Sequence, residues 1–376
     1  MREEAPRSLR SWLEALQDPE EAQARVLESF LGFYAKTDYG SRHGIEADMD
    51  LEEFKKAAPI RPYEGFKSYI QEVLKGRVET LLAEWPEFFG ITSGTTGPPK
   101  VIPIPGYDAR LRAEAMSKCM AWYAYRYGFE LAGSACIAPC LPSRVLELEL
   151  EGRKVPFGYI SGINAEIMAR YMGLEPFLRP YLEEVNEIGP GSNKADWDRR
   201  FRALLSFLEG REVKIAVGAG PALWMFAKWL KRELGSFPGE LWDLRLILVA
   251  GVPHIRPSYA RELARMYGWK ALLVEGYGAT EGLFAISLEG PCLTPFYDRY
   301  LFEVKVGREV KMLYEMKAGE VGKLVVSTPV LPRYEIGDLV ECLADGLCFT
   351  VPGRDSWPTR VRLGLRRVIE ALASFF

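Results

Sequence analysis

The sequence has 376 residues, of which 48% are hydrophobic and 26% charged, and its formal net charge is −3. This balance is typical of a globular chain with a large core and argues against a general nucleic-acid or membrane-surface binder. The first residues lack the apolar core of a signal peptide, and the most apolar stretch, residues 244–252, is too short to span a bilayer. We therefore expect a soluble, cytoplasmic protein with no nucleic-acid or membrane partner.

Six cysteines and two histidines restrict the metal and redox chemistry of the chain. No two cysteines have C-x-x-C spacing, so we expect no zinc site and expect most of the thiols to be buried. The chain has three Asn and three Gln, a composition that fits a thermophilic source. In such a source an intracellular disulfide is compatible with the compartment.

The first third of the chain predicts mainly helices. Apolar residues recur at helical spacing within residues 8–36, which predicts two helices with Gly40 as the cap of the second. A short helix is expected from Asp48, because acidic residues favour a helix N-terminus. Another helix is predicted over residues 64–74, and a long helix over residues 106–127.

From residue 133 the pattern changes to β-prone runs separated by Pro and Gly, and from residue 194 strands alternate with helices. The predicted order is helix 195–209, strand 213–217, helix 221–234, strand 244–250, helix 257–267 and strand 270–275. This alternation with short connections indicates a parallel sheet covered by helices. Shorter β runs then follow at residues 299–306, 321–327, 338–342 and 347–351, which indicate a smaller β-rich subdomain.

Residues 88–104 have the composition of a loop that binds phosphate. An apolar run leads into Thr-Ser-Gly-Thr-Thr-Gly-Pro-Pro-Lys at residues 92–100. Gly94 and Gly97 let the backbone approach a ligand, successive amides form an anion-binding concavity, and Lys100 adds a positive charge. The spacing matches neither the P-loop nor the dinucleotide-binding fingerprint, and a simple turn between two strands is the alternative.

A second motif, Tyr-Gly-Ala-Thr-Glu at residues 277–281, follows a predicted strand. In open α/β sheets, ligands bind beyond the carboxyl ends of the strands. The tyrosine could stack on a base, Thr280 could donate to a phosphate, and Glu281 could bind Mg²⁺ through its hard oxygens. The alternative for such a short motif is a tight turn with one solvated glutamate.

Two further motifs follow in order, Tyr-Glu-Ile-Gly-Asp at residues 334–338 and Gly-Arg-Asp at residues 353–355. With the loop at 92–100 and the motif at 277–281, they resemble the signatures of the adenylate-forming (AMP-binding, acyl-activating) superfamily. Within it the chain resembles the acyl acid–amido synthetases, the family of the plant enzymes that conjugate auxin or jasmonate to amino acids, with its microbial relatives. The features that favour this branch are Tyr39-Gly40, His43-Gly44, Pro59-Ile60, Tyr63, Phe302-Glu303 and Pro332-Arg333-Tyr334.

The resemblance implies an ATP- and Mg²⁺-dependent ligase and assigns its site residues. The residues implied to bind the nucleotide are Ser93, Gly94, Thr95, Thr96, Gly97, Lys100, Ala250, Gly251, Tyr277, Gly278, Thr280, Asp338 and Arg354. The phosphates would contact the hydroxyls of the loop, Lys100 and Thr280, and Mg²⁺ would bind to Glu281. Tyr277 would face the adenine, while Asp338 and Arg354 would contact the ribose. Lys100, Thr280 and Glu281 would be the catalytic residues.

The resemblance also implies where the acyl group binds and how the chain is divided. An acyl pocket is expected among residues 134–163 and 216–226, with Gly218, Gly220 and Trp224 as its lining. The implied fold is α/β, the large N-terminal domain of an adenylate-forming enzyme, with parallel sheets flanked by helices plus a smaller β-rich subdomain. The expected parts are an adenylation core over 1–352, made of a helical segment 1–80, the phosphate loop 88–104, an α/β region 105–283 and the β-rich subdomain 284–352, then a hinge and the remnant of a truncated C-terminal lid over 353–376.

Three functions share these motifs. The first is activation of a carboxylic acid as acyl-AMP with release of pyrophosphate, followed by transfer to an amine. The second is an acyl-CoA synthetase of the phenylacetate-CoA ligase type, in which coenzyme A is the thiol acceptor. The third is a nucleotide- or acyl-binding subunit that needs a separate lid protein. A thioester that forms only with coenzyme A would separate the second function from the first.

Overall fold

A computed structural model of the protein describes residues 5–92, 99–131, 133–250, 259–288, 290 and 292–363. Its α-helices are α1 Arg7–Ala15, α2 Pro19–Tyr34, α3 Asp38–His43, α4 Leu51–Ala57, α5 Lys67–Val73, α6 Gly106–Tyr127, α7 Ile160–Tyr171, α8 Glu175–Ile188, α9 Lys194–Leu208, α10 Gly220–Leu234, α11 Pro238–Leu241 and α12 Ala260–Tyr267. Its strands are β1 Pro86–Ile91, β2 Val101–Pro105, β3 Ala135–Ile137, β4 Leu146–Leu150, β5 Arg153–Tyr159, β6 Val213–Ala219, β7 Leu246–Ala250, β8 Leu272–Ala279, β9 Gly282–Ser287, β10 Leu293–Pro295, β11 Leu301–Val306, β12 Glu309–Met312, β13 Val321–Ser327, β14 Tyr334–Ala344 and β15 Cys348–Arg354. Within the described residues, every helix is too short or too polar to cross a membrane.

These strands form two sheets. The larger sheet has the order β12-β11-β13-β14-β15-β10-β9-β8-β7-β6-β3, and the smaller has the order β2-β1-β5-β4. Strands β3, β6, β7 and β8 are parallel to one another, as predicted, and β9 to β15 pair antiparallel. The predicted α/β class is therefore confirmed. The strands beyond residue 284 continue the same sheet as the parallel strands, and the division into domains stays a prediction.

Strand β7 shows why the central part of this sheet is continuously apolar. Ile247 and Val249 pack in a cluster with residues of α10 and α12, whereas Leu246 and Leu248 pack in a cluster with residues of α1 and α6. Successive side chains of a strand point to opposite faces, so helices on both faces require apolar residues at every position.

Three expectations about elements were wrong. Helix α2 ends at Tyr34, and Gly40 is not its cap but lies within the next helix, α3, whose N-terminus is capped by Thr37. Gly40 packs tightly on the end of α2, because a Cβ at this position would lie 2.0 Å from the Tyr34 carbonyl oxygen. The strand expected from residue 338 begins at Tyr334, so Asp338 lies within it. Helices α7 and α8 were not predicted, and α8 contains Pro180, a residue that normally interrupts a helix.

The cysteines agree with the expectation that most thiols are buried and with the expectation that a disulfide is compatible with this chain. Cys292 and Cys348 form a disulfide that joins the entry of β10 to β15, and Cys119 and Cys140 are buried thiols. Burial raises the pKa of the Cys140 thiol to about 11. A buried thiol whose pKa is raised in this way carries little of the reactive thiolate at neutral pH.

Candidate functional site

The neck of the loop that is predicted to bind phosphate is closed by two hydrogen bonds between Thr92 and Lys100. The Thr92 amide donates to the Lys100 carbonyl at 3.1 Å, and the Lys100 amide donates to the Thr92 Oγ1 at 3.0 Å. The loop thus connects the antiparallel strands β1 and β2. Ser93, Gly94, Thr95, Thr96 and Gly97 lie outside the described residues, so their contacts with phosphate stay a prediction.

Lys100 extends from this neck toward β14. Its ammonium lies 5.4 Å from the ring centre of Tyr63 and 5.7 Å from that of Tyr334, and Nζ donates to the Tyr334 hydroxyl at 3.1 Å. The faces of aromatic rings attract cations. Two tyrosines from distant parts of the chain therefore hold the lysine at the base of the loop.

Thr280 and Glu281 form the two-residue turn between β8 and β9, where Ala279 pairs with Gly282. Both side chains are buried, with 5% and 4% of their surface exposed, so the alternative of a solvated glutamate is wrong. The Thr280 methyl group lies against β1, since a Cβ on Gly90 would be 3.3 Å from it. The turn therefore lies between the two sheets, beside the strand that leads into the phosphate loop.

Glu281 and Lys100 both act on the Tyr334 side chain. Burial, followed by the charge of the Glu281 carboxylate, raises the pKa of Tyr334 far above its usual value. The hydroxyl of this tyrosine also accepts the hydrogen bond from Lys100. Tyr334 therefore lies at the point where the motif at 277–281 and the base of the loop come together.

Asp338 forms the other half of the site. Its Oδ2 accepts a 2.7 Å hydrogen bond from the Tyr277 hydroxyl, and its Oδ1 lies 3.2 Å from Nε of Arg354. Burial raises the pKa of Asp338, while Arg354 and Tyr277 act in the opposite direction. The charges of Glu281 and Lys100 also reach this carboxyl. The three motifs at 277–281, 334–338 and 353–355 thus form one cluster.

The structure places the other predicted residues at the carboxyl ends of the parallel strands. Ala250 ends β7 and pairs with Ala219 of β6 and Gly276 of β8, and Gly278 lies two residues further along β8. Gly251 lies outside the described residues. Gly218 is near the end of β6 and Gly220 begins α10. The role of these residues toward a ligand stays a prediction.

Trp224 lies on α10 and faces α12. Its indole N–H donates to the Glu262 carboxylate, and the Lys228 ammonium lies 5.3 Å from its ring centre. These contacts satisfy the side chain within the protein. Its predicted place in an acyl pocket has no contact that supports it and stays a prediction.

Three residues of the cluster had no assigned role in the sequence. Tyr334 and Tyr63 hold Lys100, and Arg61 pairs with β14 through a 3.1 Å bond to the Arg333 carbonyl and a 2.9 Å bond from the Glu335 amide. Tyr334 is the first residue of the motif at 334–338, and its place in that motif was the signal that could have identified it. Arg61 lies between Pro59 and Pro62, and Tyr63 follows Pro62, in a stretch that suggests only an extended link.

Comparison with known sequences relates the N-terminal third of the chain to one family. Residues 8–133 match the family model described as GH3 family N-terminal domain. The indole-3-acetic acid-amido synthetase GH3.15 of Arabidopsis thaliana is 32% identical over 113 residues, which are 28% of this chain and 19% of that protein. GH3.6 of the same plant is 35% identical over 79 residues, which are 21% and 13% of the two chains. The aligned part thus spans less than a fifth of these relatives.

Comparison with solved structures extends the likeness over almost the whole chain. The AtGH3.15 acyl acid amido synthetase in complex with 2,4-DB has a TM-score of 0.70 at 18% identity, covering 92% of this chain and 70% of that one. The 2-hydroxyisobutyryl-CoA ligase in complex with 2-HIB-AMP has a TM-score of 0.61 at 15% identity, covering 96% and 73%. The predicted resemblance to the acyl acid–amido synthetases is confirmed in sequence over residues 8–133, and the likeness of the whole chain to adenylate-forming enzymes is a likeness of fold.

Proposed function

We propose, on the premise of this resemblance, that the chain is an ATP-dependent ligase that activates a carboxylic acid as acyl-AMP and releases pyrophosphate. The observation that carries the proposal is the cluster of Lys100, Glu281 and Asp338. These residues come from three separate motifs, two of them are buried carboxylates, and Asp338 accepts a hydrogen bond from the Tyr277 hydroxyl. Charged groups that converge from separate motifs, among them a buried carboxyl whose pKa is raised, are typical of active sites.

In the proposed reaction, an oxygen of the carboxylic acid attacks the α-phosphorus of ATP, and the bond to the departing pyrophosphate breaks. Such chemistry depends on positioning and on neutralising the charge that develops on phosphate oxygens. Lys100 would supply positive charge from the base of the loop. The Thr280 hydroxyl would donate to the α-phosphate from the turn between the sheets. Asp338 would accept hydrogen bonds from the ribose and so orient the α-phosphorus.

Glu281 is suited to hold Mg²⁺ that is bound with the nucleotide. Mg²⁺ in such sites prefers one or two carboxylates together with phosphate oxygens and water. The part of the chain that the structure describes has no cluster of three His, Cys, Asp or Glu side chains that could hold a metal alone. A single carboxylate at the nucleotide site fits a metal of this kind. When bound, Mg²⁺ neutralises charge on the triphosphate.

Amide formation is the favoured second step. The sequence match to amido synthetases at residues 8–133 supports an amine acceptor, whereas the structural likeness to a CoA ligase supports coenzyme A. The acyl group would lie near the ends of β6 and α10, by Gly218, Gly220 and Trp224. Amide or thioester products, assayed with amino acids and with coenzyme A, separate the two acceptors.

The test is pyrophosphate release from ATP and Mg²⁺ with a panel of aromatic and fatty carboxylic acids, preceded by calorimetric measurement of ATP binding. We expect release that depends on the acid and falls about 100-fold in Lys100→Ala. Lys75→Ala is the matched control, because Lys75 is exposed and pairs with Glu72 at 3.0 Å, away from the cluster. Failure to bind ATP, or equal loss in both variants, would contradict the proposal.

A further inference from the structure

A cavity of about 330 Å³ lies against the antiparallel part of the larger sheet. Strands β11, β13 and β14 contribute to it, with Val321 and Leu339 among its apolar residues, and Leu363 from the segment after β15 is another. Leu339 and Leu363 are almost completely buried. Ligand sites in proteins usually have volumes of about 300–1,000 Å³ and mostly apolar walls, so this cavity is large enough for a small organic molecule.

Three cationic side chains line the same cavity, and they are Lys305, Lys323 and Arg360. Lys305 of β11 lies directly opposite Lys323 of β13 in the antiparallel register. Like charges in directly opposed positions of neighbouring strands are destabilising. The sequence therefore places at this cavity a pair of charges that the stability of the sheet does not favour.

Two carboxylates offset only part of this positive charge. The Lys323 ammonium lies 2.9 Å from Asp355 and 3.5 Å from Glu335, and Nε of Arg360 lies 2.6 Å from the same Asp355. Lys305 is half-buried and makes no ion pair with any residue that the structure describes. The group as a whole thus keeps one positive charge, and its uncompensated member is Lys305.

The cavity is separate from the cluster assigned to the nucleotide, although β14 contributes to both. Asp338 accepts the hydrogen bond from Tyr277 in that cluster, whereas the next residue, Leu339, lines the cavity. Successive side chains of a strand point to opposite faces of the sheet. A molecule in the cavity would therefore lie behind the nucleotide cluster and not within it.

We propose that this cavity is a second ligand site, which binds a small molecule with one anionic group, such as a carboxylate, and an apolar body. The anionic group pairs with the Lys305 ammonium, which has three hydrogen-bond donors. The apolar body packs on Val321, Leu339 and Leu363. A single negative charge on the ligand matches the single positive charge that the surrounding carboxylates leave. The site does not depend on the proposed ligase activity.

The experiment is fluorescence titration of the full chain with anilinonaphthalene sulfonate, an amphipathic monoanion, in the presence and absence of ATP. We expect binding that ATP does not displace. In Lys305→Gln the dissociation constant should rise about tenfold, because a charged hydrogen-bond partner is lost. Arg308→Gln is the matched control, since Arg308 is exposed in the turn between β11 and β12 and carries the same charge. This variant should bind the probe as the unmodified chain does.

A second variant and an uncharged probe make the test specific. Val321→Trp fills the cavity without a change of charge and should abolish binding, with cooperative unfolding as the check that the variant folds. N-phenylnaphthylamine, which lacks the sulfonate, should bind at least tenfold more weakly. Unchanged binding in Val321→Trp, or equal affinity for the two probes, would overturn the proposal.

The remaining outcomes separate this site from the surface and from the nucleotide cluster. Equal weakening in Lys305→Gln and Arg308→Gln would overturn the proposal, because general surface charge would then explain the binding. Displacement of the probe by ATP would also overturn it, because the probe would then occupy the nucleotide cluster. A chain that binds the probe as expected but does not bind ATP would support this site and contradict the proposed function.

Discussion

The Tyr277 hydroxyl donates a 2.7 Å hydrogen bond to the Asp338 carboxylate, across 61 positions of sequence. Arg354 approaches the other carboxylate oxygen at 3.2 Å. Each carboxylate oxygen can accept two hydrogen bonds, so both oxygens keep an acceptor position for a ligand. The tyrosine and the arginine therefore orient Asp338 without saturating it.

If the Asp338 carboxylate accepts hydrogen bonds from the ribose hydroxyls, Asp338→Asn should reduce discrimination between ATP and its 2′- or 3′-deoxy analogues. A hydrogen bond to a charged group contributes about 1.5–3 kcal/mol, so the preference for ATP should fall roughly tenfold or more. The measurement is the ratio of the dissociation constants. Tyr277→Phe retains the carboxylate and should change this ratio less. An unchanged ratio in Asp338→Asn would remove the aspartate from the ribose contact.

The buried ion pair of Arg333 and Glu303 should be essential for stability. The Arg333 guanidinium also donates to the carbonyls of Lys55 and Ala58, and so attaches the end of α4 to β14. Arg333→Met leaves Glu303 buried and unpaired, which should lower the free energy of unfolding by about 3–5 kcal/mol. The measurement is chemical denaturation. Arg25→Ala, which breaks an exposed pair with Glu21, should cost less than about 1 kcal/mol, and equal losses in both variants would contradict the prediction.

Asp355 should give the protein a pH-dependent stability in the acid range. Hydrogen bonds from Arg360, followed by Lys323, lower its pKa to about 2. Because the folded-state pKa is depressed, the stabilisation is present above the unfolded pKa of about 4 and is lost as the pH falls through about 2. The free energy of unfolding of the unmodified chain should therefore exceed that of Asp355→Asn by about 1 kcal/mol at pH 5, and this difference should be lost by pH 2. A difference that is constant over this range, measured by urea unfolding, would refute the assignment.

Two glycines should respond oppositely to alanine. A Cβ on Gly158 in β5 would lie 2.1 Å from the Ser143 carbonyl oxygen, so Gly158→Ala should destabilise by about 1–3 kcal/mol. Gly32 lies in α2 with no atom within 4 Å of its Cβ position, so Gly32→Ala should stabilise by about 0.5–1 kcal/mol. Melting temperatures measured on both variants check the pair, and a shift of the same sign in both would contradict it.

The sequence by itself determined the elements and motifs whose physical cause is local. Helix α6 was predicted over residues 106–127 and runs over Gly106–Tyr127, with Gly128 in the left-handed conformation that ends it. The alternation that predicts a parallel sheet depends on apolar runs and short connections, which are also local. The candidates Lys100, Glu281 and Asp338 were identified because their motifs are contiguous. Helix α8 was missed because Pro180 contradicts the helical pattern around it.

Only the tertiary structure decided which of these residues meet and through which partners. The bond between Lys100 and Tyr334 spans 234 positions, and the bridge between Arg61 and Tyr334 joins an extended N-terminal segment to the far half of the larger sheet. No local pattern contains such pairs, because their energy depends on burial and distance that exist only after the sheets have packed. The same holds for the burial of Glu281 between the two sheets, because the sequence of its turn fits an exposed position equally well.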